Sequence, residues 1–394
     1  MLKADQHGGW LRGLRAGFVR VLGLVSGLLG GLLGGMSVGS APAHAETIHI
    51  AADDPWCTLV GIARAGDTLR FAPGVYRGGC RLFLKGEPER PITLTSLNPD
   101  RPARFASRRP KRDMLVLEDV RHLVIEGLRF GPSGRWADAV RIVRGDHVLI
   151  RDNHFQGLGG QAVLAAWRDT HDIQVIGNRM IDNHATAVYI GCHDGRQCRS
   201  RDARVEGNLI DGVDVGGNAV GYGIQVKLNS TAVVRGNTVR NTRGPGVMVY
   251  GCQDAVSDCT AETLRVENNT VENAFGSDGI TVGGGPVMVR GNRVSGSRGF
   301  GIYAQNYAKR GLQRGVLIDG NRVWDNLDGG IVTEGWLTGQ GNRISANILG
   351  YLPGAHYLHP SQPAGDVSDN TLCPAASCCM EDDNEAIRRA YTVD

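Results

Sequence analysis

Lys227, Tyr250 and Arg243 are the side chains of this 394-residue sequence whose types and spacing could carry out a reaction. Past residue 45 the chain holds only four lysines, Lys85, Lys111, Lys227 and Lys309, against 35 arginines, so a lysine is not its habitual surface cation. An amine can lose its proton when its neighbours depress its pKa and a guanidinium cannot, which makes Lys227 the candidate general base. Tyr250 can deliver a proton to a leaving oxygen, and Arg243 can hold a carboxylate through two parallel hydrogen bonds. A base, an acid and a carboxylate clamp are the parts needed to remove a proton beside a carboxylate and expel an oxygen, which is a β-elimination.

Such residues need a scaffold, and internal repetition supplies it. Apolar alternation ending in Gly-Asn or a close variant recurs at Asn153, Asn178, Asn208, Asn237, Asn269, Asn292, Asn321, Asn342 and Asn370, at spacings of 21 to 32 residues. A further strand follows many of these bends after a Gly-rich turn, as in Ala187-Val188-Tyr189-Ile190, Gly223-Ile224-Gln225-Val226-Lys227 and Gly301-Ile302-Tyr303-Ala304. Short strands with no helical period between them cannot be a βαβ unit. They predict an all-β chain, a single-stranded right-handed parallel β-helix whose coils stack at about 4.8 Å around an apolar interior. The recurring Asn is then a ladder of amides in a bend.

Open coils expose strand edges, so both ends need covers. Asp54-Pro55 predicts an N-cap and first helical residue for a short capping helix over Cys57 to Ala63, and Glu381 to Ala390 reads as a helical closure. The organisation expected is a cleaved export segment (1–45), an N-terminal cap with entry strands (46–90), the β-helix (91–372) and a C-terminal cap (373–394). The export segment rests on Lys3, Arg12, Arg15 and Arg20, the apolar run Val21 to Val38, and Ala43-His44-Ala45 as a processing site. It predicts a secreted or periplasmic protein with no membrane span after cleavage. The remaining chain is formally neutral, which excludes a general nucleic-acid binder, and 41% hydrophobic content excludes disorder.

All nine cysteines lie in that exported part, where disulfides are expected. Cys57 and Cys80 lie near its start, Cys192 and Cys198 enclose five residues, Cys252 and Cys259 enclose six, and one of Cys373, Cys378 and Cys379 is left over. No Cys-x-x-Cys pair and no Cys/His quartet suggests zinc.

Strand alternation places Ile224 and Val226 inward and Gln225 and Lys227 outward, with Tyr189 stacked on one side and Met248 and Tyr250 on the other. The two Cys-stapled loops follow the Tyr189 and Tyr250 strands and would wall a groove floored by Tyr189, Gln225, Lys227 and Tyr250. Arg298, in the turn equivalent to that of Arg243, and Tyr303 extend it as substrate-binding residues suited to an extended sugar chain. Asp278, Asp328 and Glu334 lie in or near the outward columns and keep a two-carboxylate hydrolase open. His171, His184 and His193 read as surface or turn histidines, and the six basic residues between Arg101 and Arg112 as a solvated loop.

The sequence resembles the pectate-lyase-like superfamily of right-handed β-helix proteins. Ala65-Gly66-Asp67-Thr68-Leu69, Pro73-Gly74-Val75-Tyr76, Pro88 and Pro91-Ile92-Thr93-Leu94 look like the entry region of alginate lyases of the chondroitinase B type and of uncharacterised β-helix repeat proteins. Ile224-Gln225-Val226-Lys227-Leu228-Asn229-Ser230, running into Arg235-Gly236-Asn237-Thr238, is similar to that family's strand bearing a catalytic Lys, and the resemblance also places the base at Lys227. The family's Arg-His-Gly run one coil later is here Val247-Met248-Val249-Tyr250-Gly251, and the Asp-Pro-His-Asp signature of secreted mannuronan epimerases does not occur.

The expectation is therefore an exported lyase acting on an acidic, alginate-like polysaccharide. A noncatalytic glycan-binding or surface-polymer-organising β-helix and a glycoside hydrolase are the alternatives. A copper accessory protein with similar repeats ranks below them, for want of a His/Met/Cys cluster. A monomer with no cofactor is expected, calcium being left open with no ligands placed.

Overall fold

The computed structural model describes residues 45–192, 198–216, 221–252, 258–307, 314–336, 341–350, 356–359, 366–373 and 391–393. The proposed export segment and the proposed C-terminal helix lie outside them. Coils contribute up to three short strands each, and like strands of successive coils pair in parallel; with one antiparallel strand at the C-terminal end, the described residues form three sheets of 14, 11 and 13 strands. The chain is an all-β, right-handed parallel solenoid. Its one helix among the described residues is Trp56–Gly61, and none is long and apolar enough to cross a membrane.

Period-2 alternation sets the register. In Gly145–Arg151, Val148 and Ile150 are buried while Arg151 is exposed, and these two pair with Ile173 and Val175 on the next coil. A slip of one residue would turn every apolar side chain outward, so the interior column fixes the stack. At the N-terminal end the column is aromatic: Tyr76, Phe105, Phe130 and Phe155 stack with centroids 5.2, 5.4 and 4.9 Å apart. Trp56 of the helix meets Phe105 edge-on at 5.3 Å and seals that end. Asp54 does not cap this helix, however. Its carboxylate accepts the Ala51 N–H at 2.7 Å, and Pro55 occupies the N-cap position without a side-chain bond.

Further along, the column narrows to Val239, Val271, Val294 and Val323. Facing them are Gly223, Gly246, Gly279 and Gly301, where a Cβ would come within 2.2 to 2.4 Å of the valine methyls. Glycine is needed here for close approach rather than for its dihedral freedom. These glycines open the third-sheet strands, so the same tight turn that closes the coil delivers the strands bearing Gln225, Met248 and Thr281.

The amide ladder is present, with one member different from the sequence expectation. Asn153, Asn178, Asn208, Asn237, Asn269, Asn292, Asn321 and Asn347 each pass an Nδ2 hydrogen bond to the next Oδ1, at 2.9 to 3.1 Å, and Asn370 accepts the last of them. Asn342 matches the Gly-Asn pattern but precedes its first-sheet strand, where its Oδ1 accepts the Val316 N–H at 3.0 Å. Asn347, after Ala346, occupies the bend between the first and second sheets that the ladder requires.

Three disulfides join Cys57 to Cys80, Cys192 to Cys198 and Cys252 to Cys259. Cys373 is also disulfide-bonded and so is not the leftover cysteine. Tyr391–Val393 pairs antiparallel with Asn370–Cys373 at the C-terminal end. The segment from Arg101 to Arg112 keeps its six basic side chains exposed, but it is not a loop throughout: Arg104–Ser107 is a strand that carries Phe105 into the aromatic column.

The ladder makes a quantitative expectation. Asn237→Ala removes the bonds to Val205 O at 2.7 Å and to Asn269 Oδ1 at 2.9 Å, and leaves the Asn208 amide facing a methyl. The variant should lose about 3 kcal/mol from these unsatisfied buried groups. Urea unfolding measures this, and a loss under about 1 kcal/mol would mean the amides are individually dispensable.

Candidate functional site

The third sheet carries the residues singled out by chemistry, and its register places them as alternation requires. Tyr189 pairs with Gln225, Gln225 with Met248, Met248 with Thr281 and Thr281 with Tyr303. Lys227 follows the strand Ile224–Val226, its N–H donating to the Ile190 carbonyl at 2.8 Å. Gly191, at φ +90°, stands beside it, and a Cβ there would lie 2.2 Å from Ser230 Oγ and 3.2 Å from Lys227 Cβ. Only glycine leaves room for the lysine stem.

The lysine is not on an open floor. Its side chain is folded beneath the tyrosines, with Nζ 3.7 Å from the Tyr250 ring centroid and 5.6 Å from that of Tyr189. Lys227 is 1% exposed, Gln225 and Tyr250 4%. A small apolar cluster outside the solenoid interior accounts for this: Leu228, Met248 and Tyr250 pack together, with Tyr222 and Tyr307 against them. Tyr250 and Tyr307 meet edge to face at 4.7 Å, and the Gln225 amide donates to the Tyr250 oxygen at 3.0 Å. Burial pushes the Lys227 amine down to about 8, and among the described residues no carboxylate forms an ion pair with it. Two ring faces supply the compensating cation–π attraction. Burial also pushes the Tyr250 phenol well up, with Tyr222 and Tyr307 adding to the effect.

Next to this buried group opens a cleft of about 620 Å³, lined by Tyr222, Arg243, Tyr250, Asp278, Arg298 and Tyr307 among others. Arg243 and Arg298 follow the second-sheet strands Thr238–Thr242 and Arg293–Ser295, in equivalent turns two coils apart. The Arg243 Nε lies 3.9 Å from Asp214, whose carboxylate is fully buried, so this guanidinium is anchored at its root. Asp278 accepts the Phe300 N–H at 2.9 Å and the Thr281 hydroxyl at 3.2 Å. Desolvation raises its pKa even so.

The structure therefore brings Tyr189, Gln225, Lys227 and Tyr250 together, and brings Arg243, Tyr250 and Arg298 to one cleft. Tyr303 does not join them: it packs on Phe300 at 5.4 Å and hydrogen-bonds Glu334. The stapled segments 193–197 and 253–257, the expected walls, lie outside the described residues. Tyr222 and Tyr307 are absent from the sequence reading because they sit in turns beyond the strand pattern. With Tyr189 and Tyr250 they bring four of the nine tyrosines of the sequence to this site.

A second cleft of about 780 Å³ lies upstream on the same sheet, with Asp113, Arg141 and Trp167 in its lining. Asp138 stands beside it, pushed up to about 6 by burial and by Asp113. Both carboxylates are structurally employed: Arg141 bonds Asp113 at 3.0 Å and Asp138 at 2.8 Å. Asp113 also accepts the Asp138 N–H, and Asp138 the Gln161 N–H, each at 2.8 Å. They tie successive coils, which explains their burial without a reaction.

Comparison with known proteins agrees with the architecture. A family model described as a right handed beta helix region matches residues 222–372. No curated protein matches the sequence. Among solved structures, the A-module of mannuronan C-5 epimerase AlgE4 from Azotobacter vinelandii is similar with a TM-score of 0.51 and 12% identity, covering 79% of this chain and 87% of its own. A mutant of the periplasmic alginate epimerase AlgG gives 0.47 and 13%, covering 82% and 84%. An alginate lyase from Paenibacillus sp. str. FPU-7 gives 0.43 and 16%, covering 84% and 96%. At such identities the likeness is one of fold, and function must be argued from the site.

The buried amine predicts a pH signature. Below pH 8 the folded protein carries a desolvated charge, whereas between about 8 and the ordinary lysine value of 10.5 only the unfolded chain stays protonated. Stability of the native protein should therefore rise with pH across that window, by roughly 3 kcal/mol relative to Lys227→Met. Urea midpoints of both proteins from pH 7 to 10.5 measure the difference, and parallel curves would mean that Lys227 titrates as a solvated amine.

Proposed function

We propose that this protein binds an acidic, uronate-type polysaccharide in the cleft between Arg243 and Arg298 and cleaves it by β-elimination. The observation that carries the proposal is the convergence of two arginines, several tyrosines and a buried amine with a pKa of about 8 on one face of the solenoid. The arginine turns are two coils apart, about 10 Å along the axis, so each guanidinium can meet a carboxylate on nearby sugars of one extended chain. Tyrosine rings supply the apolar faces on which sugar rings rest.

In the elimination, Lys227 takes the proton beside the uronate carboxylate, the electron pair forms the sugar double bond, and the glycosidic oxygen leaves. An amine with a pKa near 8 is a competent base at mildly alkaline pH. Tyr250 holds its proton more firmly than a free phenol and lines the cleft, so it serves as the acid for the leaving oxygen. The assignment requires Tyr250 and its partners to move aside when substrate binds, because Lys227 is 1% exposed. That burial favours one other reading, a noncatalytic module that holds the polymer by Arg243 and Arg298. Three disulfides support placement in an oxidising compartment, secreted or periplasmic.

Ultraviolet absorbance of the protein with a panel of uronate polysaccharides tests this. The expected result is a rise from an unsaturated product that falls about a hundredfold or more in Lys227→Met and Tyr250→Phe. In Arg243→Ala and Arg298→Ala the affinity should fall about tenfold. Binding without any rise moves the protein to the noncatalytic reading. Reducing ends released without the rise would point to hydrolysis through Asp278, and no binding to any acidic polymer overturns the proposal altogether.

A further inference from the structure

On the first sheet, away from the cleft, successive coils assemble a group of histidines and aspartates that no role described above uses. Asp146 pairs with His171 in register, and His147 follows Asp146 directly. In a regular strand Asp146 and His147 would point to opposite faces. His147 instead has φ 51°, a left-handed kink, and both side chains stand on the solvent side, 50% and 44% exposed. The same kink recurs at His122, Asp172 and Asp202, which places a second outward column beside the first.

The geometry of the polar atoms is specific. One carboxylate oxygen of Asp146 lies 2.9 Å from His147 Nδ1 and 2.9 Å from His171 Nδ1. Ligand atoms of these three residues all lie within 4.8 Å of one another. The far nitrogens of the two rings each face another carboxylate: His171 Nε2 is 3.2 Å from Asp202, and His147 Nε2 is 3.8 Å from Asp172. His122 stacks on His147 at 4.6 Å and limits its rotation. Both imidazoles turn Nδ1 to the same Asp146 oxygen, His171 through a hydrogen bond, and Nε2 to a further carboxylate, an arrangement that metal-ligating histidines with supporting partners share.

We propose that Asp146, His147 and His171 form a site for a divalent zinc-class cation, with His147 Nδ1, His171 Nδ1 and an Asp146 oxygen as ligands. Asp202 and Asp172 orient the rings by accepting their Nε2 protons. Two nitrogens and one oxygen suit zinc, leaving one position for water or an external ligand. Asp146, Asp172 and Asp202 bring three negative charges, and a dication together with Arg121 and Arg201 in the same column offsets them. The ion would clip the coil of Asp146 to that of His171.

Zinc titration of the chelator-treated full chain by calorimetry tests the proposal, with cobalt substitution as a spectroscopic readout. The expected result is a zinc equivalent that the His147→Ala/His171→Ala double variant loses, and a cobalt absorption band of a low-coordinate site lost in the same variant. Both side chains are at least partly exposed, and an unchanged far-UV circular dichroism spectrum would show that the variant folds. Asp202→Asn should weaken zinc about tenfold or more through ring orientation alone. No zinc uptake by the native chain, or uptake of equal stoichiometry and affinity in the folded double variant, would overturn the site.

Discussion

Everything in this molecule depends on the stacking of each coil on its predecessor at one strand spacing. At about 4.8 Å, a side chain's nearest neighbours are the residues at the same position of the coils before and after it. An amide can both donate to and accept from a copy of itself, so Asn forms an unbroken column from Asn153 to Asn370. A charge stacked on its like costs free energy. Several outward positions accordingly alternate in sign, with Arg104 on Arg129 and Arg293 on Arg322 as exceptions: Glu126 pairs with Arg151, Glu206 with Arg235, Asp211 with Arg240 and Arg290 with Asp319. Such exposed pairs contribute little each, but they prevent the repulsion that a repeated charge would bring.

The third sheet breaks this rule at Lys227. Its neighbours in the stack are Gly191 and Tyr250, and no opposite charge stands before or after it. Among the described residues only ring faces compensate this desolvated amine, and local conflicts of this kind are enriched at functional positions. Gly283 belongs to the same arrangement, since a Cβ there would crowd Tyr250 Cα and Tyr307 Cβ at 3.2 Å. The small residues in this column make the space that the lysine and the tyrosines fill.

Periodicity made the fold legible, because apolar alternation and recurrent bends report on backbone geometry directly. The Asn342 and Asn347 exchange shows its limit: a local Gly-Asn pattern does not say on which side of a strand the amide stands. Alternation likewise placed Lys227 outside the solenoid interior, which is correct, and on an exposed floor, which is not. A residue outside the sheet can still be covered by turn residues such as Tyr222 and Tyr307, whose positions no strand pattern specifies. The histidine group was illegible for another reason. Asp146 and His171 are 25 residues apart, Asp202 a further 31, and unequal coil lengths conceal their shared columns until the register is known.

Separation of tasks among the faces explains how the scaffold tolerates the site. The amide ladder runs through the bend between the first and second sheets and passes Asn208, Asn237 and Asn269 without interruption behind the Lys227 strand. In a solenoid, stability is close to a sum of coil terms and nearest-neighbour interfaces, so an unfavourable group on one face is offset within its own and adjacent coils. The coil of Lys227 retains its ladder bonds, its inward Ile224 and Val226 and its Gly223–Val239 contact. These hold the strand in register whether the amine is charged or neutral. A change in the protonation state of Lys227 therefore leaves these coil-to-coil bonds in place.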